Sequence, residues 1–116
     1  MKPKEREQFF SIAKGVFKIL CPGVEYKQGK GFNNQIILSL EDQTEQIFYL
    51  FKFNHEKNDI FFKMEVDVDG EKKKKEITWK LGSVSIADMV DQIRKEKNTI
   101  QTRQGNPFSV LNKLKQ

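Results

Sequence analysis

The chain has 116 residues, of which 37% are hydrophobic and 32% are charged, and ten of them are phenylalanine. This size and composition exclude a disordered chain and fit one domain that buries a single core without disulfides. The net charge of +5 attracts polyanions, but it comes from 18 lysines and only three arginines, and lysine lacks the planar fork with which arginine contacts phosphate or guanine.

Membrane and secretory signals are missing from the sequence. No apolar stretch reaches the roughly 20 residues of a membrane-spanning helix, and the N-terminal residues are mixed in charge. The single cysteine, Cys21, excludes an internal disulfide and is typical of a reducing compartment. We therefore expect a cytoplasmic protein without membrane contacts. Its Lys-, Ile- and Asn-rich composition is typical of AT-rich coding, as in low-GC bacteria and their phages.

The N-terminal segment predicts an amphipathic helix from about residue 3 to residue 20. Pro3 and Glu5 suit a first helical turn, because proline needs no donor there and an acid complements the helix dipole. Cys21-Pro22-Gly23 then ends the helix. The apolar residues recur at helical spacing, namely Phe9, Ile12, Ala13, Val16, Phe17 and Leu20.

From about residue 34 to residue 81 the apolar period changes to two, which predicts an antiparallel β-meander. Four strands alternate clearly, and a weaker strand around Val24 to Lys27 adds an edge, while Gly29-Lys30-Gly31 is assigned to a loop. The alternating residues are Ile36, Leu38 and Leu40, then Ile47, Tyr49, Phe51 and Phe53, then Ile60, Phe62, Met64, Val66 and Val68, and finally Ile77, Trp79 and Leu81.

Two more helices are predicted after the meander. Ser83 or Ser85 caps a helix from about residue 84 to residue 97, whose buried stripe is Ile86, Met89, Val90 and Ile93. A polar loop from residue 99 to residue 105 precedes Asn106 and Pro107, which suit the start of a short C-terminal helix over about 107–115. The whole chain, 1–116, is thus predicted to be a single α+β domain with a four- to five-stranded sheet.

Asp69-Gly70 predicts a two-residue type I′ hairpin turn, because both central residues of this turn need a positive φ. In the resulting register, residues whose numbers sum to 139 face each other. Three opposite-charge pairs follow from it, namely Lys63 with Glu76, Glu65 with Lys74, and Asp67 with Lys72. Lys73 and Lys75 fall on the other face, without an acidic partner.

The remaining turns predict that Leu40 pairs with Ile47 and that Phe53 pairs with Ile60. The face of the sheet away from the core then gathers an apolar cluster, Ile37, Phe48, Leu50 and Phe61, ringed by lysines and Glu65. Two interpretations remain open. Either the C-terminal helix covers the cluster with Phe108, Leu111 and Leu114, or the cluster is a partner-binding patch, since exposed contiguous apolar surface is typical of an interface.

The sequence contains little of the chemistry that catalysis requires. His55 is the single histidine and lies in a predicted turn, and Cys21 lies at a helix C-terminus, where the dipole disfavours a thiolate. The pair is too small a set for a structural zinc site. Asp67-Val68-Asp69-Gly70 lacks the distal ligands of a calcium loop. We therefore expect no catalytic residues, no metal site, no cofactor and no enzymatic activity.

The function that these observations favour is protein binding through the apolar cluster and its basic rim, as in a phage or mobile-element inhibitor or regulator. The alternative is a sequence-independent nucleic-acid-binding module, in which aromatic side chains stack on bases and lysines contact phosphates. The candidates for polyanion contact are Lys52, Lys63, Lys73, Lys75 and Lys80. The sequence leaves the oligomeric state open.

Overall fold

The computed structural model describes residues 3–31 and 35–114, with side chains over residues 4–31 and 35–100. Its five strands form one antiparallel sheet in chain order, β1-β2-β3-β4-β5, and the predicted α+β class is confirmed. The elements are α1 (Pro3–Leu20), β1 (Lys27–Lys30), β2 (Ile36–Asp42), β3 (Ile47–Asn54), β4 (Asp59–Val68), β5 (Glu71–Lys80) and α2 (Ile86–Leu114).

Helix α1 begins and ends at the predicted residues and covers the middle of the sheet. The ring of Phe9 stacks on that of Phe53, with 5.2 Å between the ring centroids. The ring of Phe17 packs at a tilt on that of Phe51, with 5.3 Å between the centroids. We call the sheet face under the helices the core face. Its strand residues from Ile36 to Val66 are buried in strict alternation, as the period of two predicts.

Helix α2 packs on the same core face. The Ser85 hydroxyl oxygen accepts a hydrogen bond from the backbone N–H of Asp88 at 3.1 Å, so Ser85 is the N-cap. Met89, Val90 and Ile93 are buried as the helical period predicts. No described helix is both long enough and apolar enough to cross a membrane.

The prediction of two separate helices after the sheet is wrong, because α2 continues unbroken from Ile86 to Leu114. Ile100 is buried in the core, and the Thr99 hydroxyl donates a hydrogen bond to the Lys95 carbonyl at 3.0 Å. This packing keeps residues 99 and 100, the start of the predicted loop, in the helix, since tertiary contacts of one face stabilise helices more than propensity does. The side chains of Phe108, Leu111 and Leu114 lie outside those described, so their predicted packing stays a prediction.

The β4–β5 hairpin has the predicted turn and register. Asp69 and Gly70 both have positive φ, 54° and 81°, as a type I′ turn requires. Residue pairs throughout the hairpin sum to 139, from Val68 with Glu71 to Asp59 with Lys80. The predicted pairing of Phe53 with Ile60 between β3 and β4 is also confirmed.

The predicted pairing of β2 with β3 is wrong by two residues. Leu40 faces Tyr49 rather than Ile47, and Asp42 faces Ile47. The Asp42 carboxylate accepts hydrogen bonds from the backbone N–H groups of Thr44 and Glu45, at 3.0 and 3.3 Å, which closes a four-residue loop. Because the shift is even, every side chain keeps its predicted face and only its cross-strand neighbours change.

The edge strand β1 lies three residues later than predicted. It covers Lys27–Lys30, so Gly29 and Lys30 belong to a strand rather than to the predicted loop. All four residues are exposed, and a strand without a buried face has no alternation by which a sequence pattern can locate it.

Candidate functional site

The sheet has a second face, on the side opposite α1 and α2. Both helices pack on the core face, so over residues 4–31 and 35–100 no helix covers the second face. The four partner-binding candidates, Ile37, Phe48, Leu50 and Phe61, all point to this side of the sheet, and each is only half-buried. The structure therefore places the predicted apolar cluster on one surface.

The cluster is a band interrupted by polar residues rather than a compact block. Ile37 and Phe61 lie on either side of Lys52 in one cross-strand row, and Leu50 lies between Ser39 and Lys63 in the next. Diagonal neighbours on a sheet are about 7–8 Å apart, within reach of aromatic side chains. The predicted register would have placed Ile37 directly opposite Leu50, so their separation is a consequence of the two-residue shift between β2 and β3. The lysines opposite Leu50 and Phe61 follow from the β3–β4 pairing, which was predicted correctly.

Two lysines in the middle of the second face interact with neighbouring side chains. The Lys52 ammonium nitrogen lies 5.1 Å from the centroid of the Phe61 ring, which is cation–π geometry. The Lys63 Nζ lies 3.4 Å from the Glu65 carboxylate, two residues along the same strand. Both side chains are thereby held against the sheet, with Lys52 on the apolar band itself.

Two glutamates flank Phe48 on the second face. Glu41 and Glu65 lie directly across from it on the two neighbouring strands. A shallow depression of about 340 Å³ next to the ring is lined by both glutamates, by Asp67 and by Lys72, among other residues. The sequence analysis missed this feature because its β2–β3 register placed Ser39, not Glu41, opposite Phe48. The rim of the second face is therefore mixed in charge, with Lys52 beside Phe61 and with both acidic residues and lysines near Phe48.

The five candidates for polyanion contact do not form one patch. Lys52, Lys63 and Lys80 belong to the second face, whereas Lys73 and Lys75 lie on the helix side of β5. The prediction that the latter two lack acidic partners is wrong: the Lys75 Nζ lies 3.4 Å from Glu96, and the Lys73 Nζ lies 3.4 Å from Glu71.

The predicted ion pairs across the β4–β5 hairpin are absent among the described side chains, although the register is right. Lys63 is bound to Glu65 of its own strand instead of Glu76. The ion pair that does cross these strands, Lys80 with Asp59 at 2.9 Å, lies at the other end of the hairpin. The partners of exposed lysines therefore depend on side-chain reach and on α2, and not on strand register alone.

The run from Lys72 to Lys75 lies on β5, a ten-residue strand at the edge of the sheet. A long edge strand presents unpaired backbone groups to other chains, and lysines are a common means of blocking such pairing. The opposite edge, β1, has only four residues and a lysine at each end. Both edges thus have features that oppose strand addition.

The two residues considered for nucleophilic chemistry are far apart. Cys21 Sγ donates to the Asp42 carboxylate at 3.7 Å, at one end of β3, and His55 follows the other end, roughly 26 Å away by strand length. Burial, with the neighbouring Asp42 carboxylate, raises the pKa of the Cys21 thiol to about 11. Burial also raises the pKa of Tyr49, whose hydroxyl has no hydrogen-bond partner among the described residues.

Some exposed apolar residues lie outside the predicted site. Ile19, Val24 and Tyr26 are 45%, 40% and 37% exposed. The exposure of Ile19 could have been predicted from the sequence, since this residue lies outside the apolar stripe of α1. Tyr26 leans towards Phe17, at 6.3 Å between the rings, so this region is in part an extension of the core.

Within residues 4–31 and 35–100, no group of three or more His, Cys, Asp or Glu side chains converges as a metal site would require. Comparisons of the chain with protein-family models, with curated proteins and with solved structures found no match.

Proposed function

We propose that this is a small, non-enzymatic, cytoplasmic binding protein whose second face binds a protein partner, as a phage or mobile-element inhibitor or regulator does. The observation that supports this most directly is the half-buried apolar band of Ile37, Leu50, Phe61 and Phe48 on a sheet face without a helix over the described side chains. An antiparallel sheet with one face in water needs no such band, and protein interfaces are enriched in aromatic residues at their centres.

The charges of the second face favour a protein over a polyanion. Polyanions are attracted by an excess of lysine, whereas this face alternates both signs, and three of its lysines already contact Phe61, Glu65 or Asp59. A nucleic acid laid across it would meet five carboxylates. They belong to Glu41, Asp59, Glu65, Asp67 and Glu76.

The test is to capture proteins from an extract of the source cells with tagged chain and with a variant, Phe48→Gln with Phe61→Gln. Glutamine removes the aromatic surface and avoids the repulsion that an aspartate would meet between Glu41 and Glu65. We expect a specific partner, identified by mass spectrometry, to be retained by the wild type and lost by the variant.

The matched control is Gln8→Asn with Ser11→Thr, two exposed positions of α1 on the other side of the molecule. It should capture the same partner as the wild type. Circular dichroism and thermal unfolding establish that both variants are folded. Identical capture by the wild type and the folded Phe48/Phe61 variant would overturn the proposal.

The second candidate function is nucleic-acid binding, favoured by the half-buried ring of Phe61 on a face that also carries Lys52 and Lys63, since aromatic rings stack on bases and lysines contact phosphates. It predicts that the protein shifts single-stranded oligonucleotides at low ionic strength and that the affinity falls steeply with salt. Phe61→Gln should weaken this binding. The absence of any shift with single- or double-stranded oligonucleotides removes this candidate.

A further inference from the structure

The side of helix α1 that faces strand β1 carries a row of cations and aromatic rings. Arg6, Phe10, Lys14 and Lys18 follow one another at four-residue spacing, so each step is about 6 Å along the helix axis. The Phe10 ring has a cation on either side of it in this row, with the Arg6 Cζ 5.7 Å and the Lys14 Nζ 5.4 Å from its centroid. The Lys14 Nζ also lies 6.0 Å from the centroid of Tyr26, the residue before β1. Aromatic rings therefore hold Arg6 and Lys14 in place.

Strand β1 adds a further cation, Lys30, beside the first half of α1. Lys30 pairs with Ile36, Ile36 pairs with Phe53, and the Phe53 ring stacks on Phe9. Because Ile36 and Phe53 are buried on the core face, Lys30 lies on the same side of the sheet as the helix. We call this group of exposed cations the basic strip, and its members are Arg6, Lys14, Lys18 and Lys30.

The charge of the basic strip is not neutralised by acidic neighbours. Helical spacing places one acidic residue, Glu7, on that side of α1, and β1 contains none. Glu25 lines a depression of the second face together with Phe48, and the Asp42 carboxylate is already bound to Cys21 and to two backbone N–H groups. Over the described side chains, the lysines that form ion pairs all lie outside the strip, namely Lys63, Lys73, Lys75, Lys80 and Lys97.

We propose that the basic strip binds the phosphate backbone of a nucleic-acid duplex, so that α1 and β1 form a sequence-independent nucleic-acid-binding surface. Four exposed cations beside one carboxylate are complementary to a polyanion. From Arg6 to Lys18 the strip extends about 18 Å along the helix, the rise of about five base pairs of a duplex. The inference is independent of the proposed function, because the strip and the second face lie on opposite sides of the sheet and can both be occupied.

The rings of the strip favour contact with phosphates over contact with bases. A single strand binds by stacking its bases on aromatic rings, whereas here Arg6 and Lys14 lie against Phe10, and Lys14 also lies against Tyr26. A ring holds a cation without cancelling its charge, as a carboxylate would, so both cations still attract phosphates. Contacts of this kind position a protein on a duplex without reading its sequence.

The same arrangement disfavours a protein as the occupant of the strip. The centre of a protein interface is apolar and depleted of charge. Phe10, the ring at the centre of this row, is half-buried beneath two cations. The strip therefore offers charge, with little apolar surface between the charges.

The test is a fluorescence-anisotropy titration of a short, labelled DNA duplex at salt concentrations from about 50 to 200 mM. The wild type should bind, with an affinity that falls as the salt concentration rises. Arg6→Gln with Lys14→Gln should weaken binding and reduce the slope of log affinity against log salt by about 2, since each lost phosphate contact removes about one released counterion. Arg6→Lys with Lys14→Arg keeps both charges and should retain the wild-type slope.

The matched control is Arg94→Gln with Lys95→Gln, which removes one arginine and one lysine from exposed positions of α2. It should keep the wild-type slope. Lys18→Gln with Lys30→Gln changes the strip without touching its cation–π contacts, and it keeps the inference testable if the Arg6/Lys14 variant proves unfolded by circular dichroism. Equal weakening by the control and by the strip variants would show that only net charge matters, and it overturns the inference.

Three further results would contradict the basic strip as the binding surface for a duplex. Binding that is lost in Phe61→Gln and kept in both strip variants belongs to the second face. A protein that binds no duplex at low ionic strength is not a duplex-binding protein, whether or not it binds vesicles containing phosphatidylserine instead. Tighter binding of a single strand than of the duplex would show that bases, and not only phosphates, are contacted.

Discussion

Trp79 and Gln92 join the edge strand β5 to helix α2, with the indole Nε1 donating a hydrogen bond to the Gln92 side-chain oxygen at 2.9 Å. Trp79 is only 9% exposed, and its ring packs 6.1 Å from that of Phe62. The indole N–H is thus largely removed from water and depends on one acceptor on the helix. This bond fixes α2 against the core face.

Replacing Gln92 by leucine should lower the free energy of unfolding by about 1–3 kcal/mol, because a largely buried N–H loses its acceptor. Urea unfolding followed by tryptophan fluorescence measures the change. Gln92→Glu, which keeps an acceptor at the same place, is the control and should lose much less. Equal stability of the leucine variant and the wild type would show that Trp79 finds another acceptor.

Tyr49→Phe should raise the free energy of unfolding by about 1–3 kcal/mol, because it removes a fully buried hydroxyl without a partner among the described residues. The ring contact with Phe62 is preserved. Tyr26→Phe, at an exposed position, should change the stability by less than about 0.5 kcal/mol. A loss of stability in Tyr49→Phe contradicts this reading of the core and implies an acceptor for the hydroxyl.

The stability of the protein should fall as the pH rises above 9. The pKa of Cys21 is raised from 9.0 to about 11 in the folded state, so the folded state holds its proton where the unfolded chain has lost it. The contribution is complete below pH 9 and is lost as the pH rises through 11, by about 2–3 kcal/mol in total.

Urea titrations from pH 8 to pH 11 check this dependence, with Cys21→Ala as the comparison. The alanine variant should show a shallower decline than the wild type, and the remaining decline contains the contribution of Tyr49. Parallel curves for the two proteins would show that Cys21 titrates equally in the folded and unfolded states.

Lys72→Thr with Lys74→Thr should increase aggregation, because it turns the edge strand β5 into a better template for strand addition. Light scattering during incubation near the unfolding midpoint measures the effect. Lys18→Gln with Lys95→Gln removes the same charge from exposed helix positions and is the control for net charge. Equal aggregation of the two variants would show that the lysine run acts only through net charge.

The sequence alone was sufficient for features that depend on a few neighbouring residues. Pro3 marks the start of α1, and Cys21-Pro22-Gly23 marks its end. The period of two separates the core face from the second face. Asp69-Gly70 determines the β4–β5 register, because a type I′ turn accepts few other residues. The membership of the apolar band follows from the same alternation. The wrong β2–β3 register did not change this membership, since an even shift leaves every side chain on its predicted face.

Only the tertiary structure decided which side chains meet across these elements. Ile100 is buried at the start of the predicted loop, the Asp42 loop brings Glu41 opposite Phe48, and α2 carries Glu96 to Lys75. These contacts join residues that are distant in the chain and depend on where whole elements pack. The sequence by itself therefore determined which residues line the second face, and the packing of the elements decided its charge pattern.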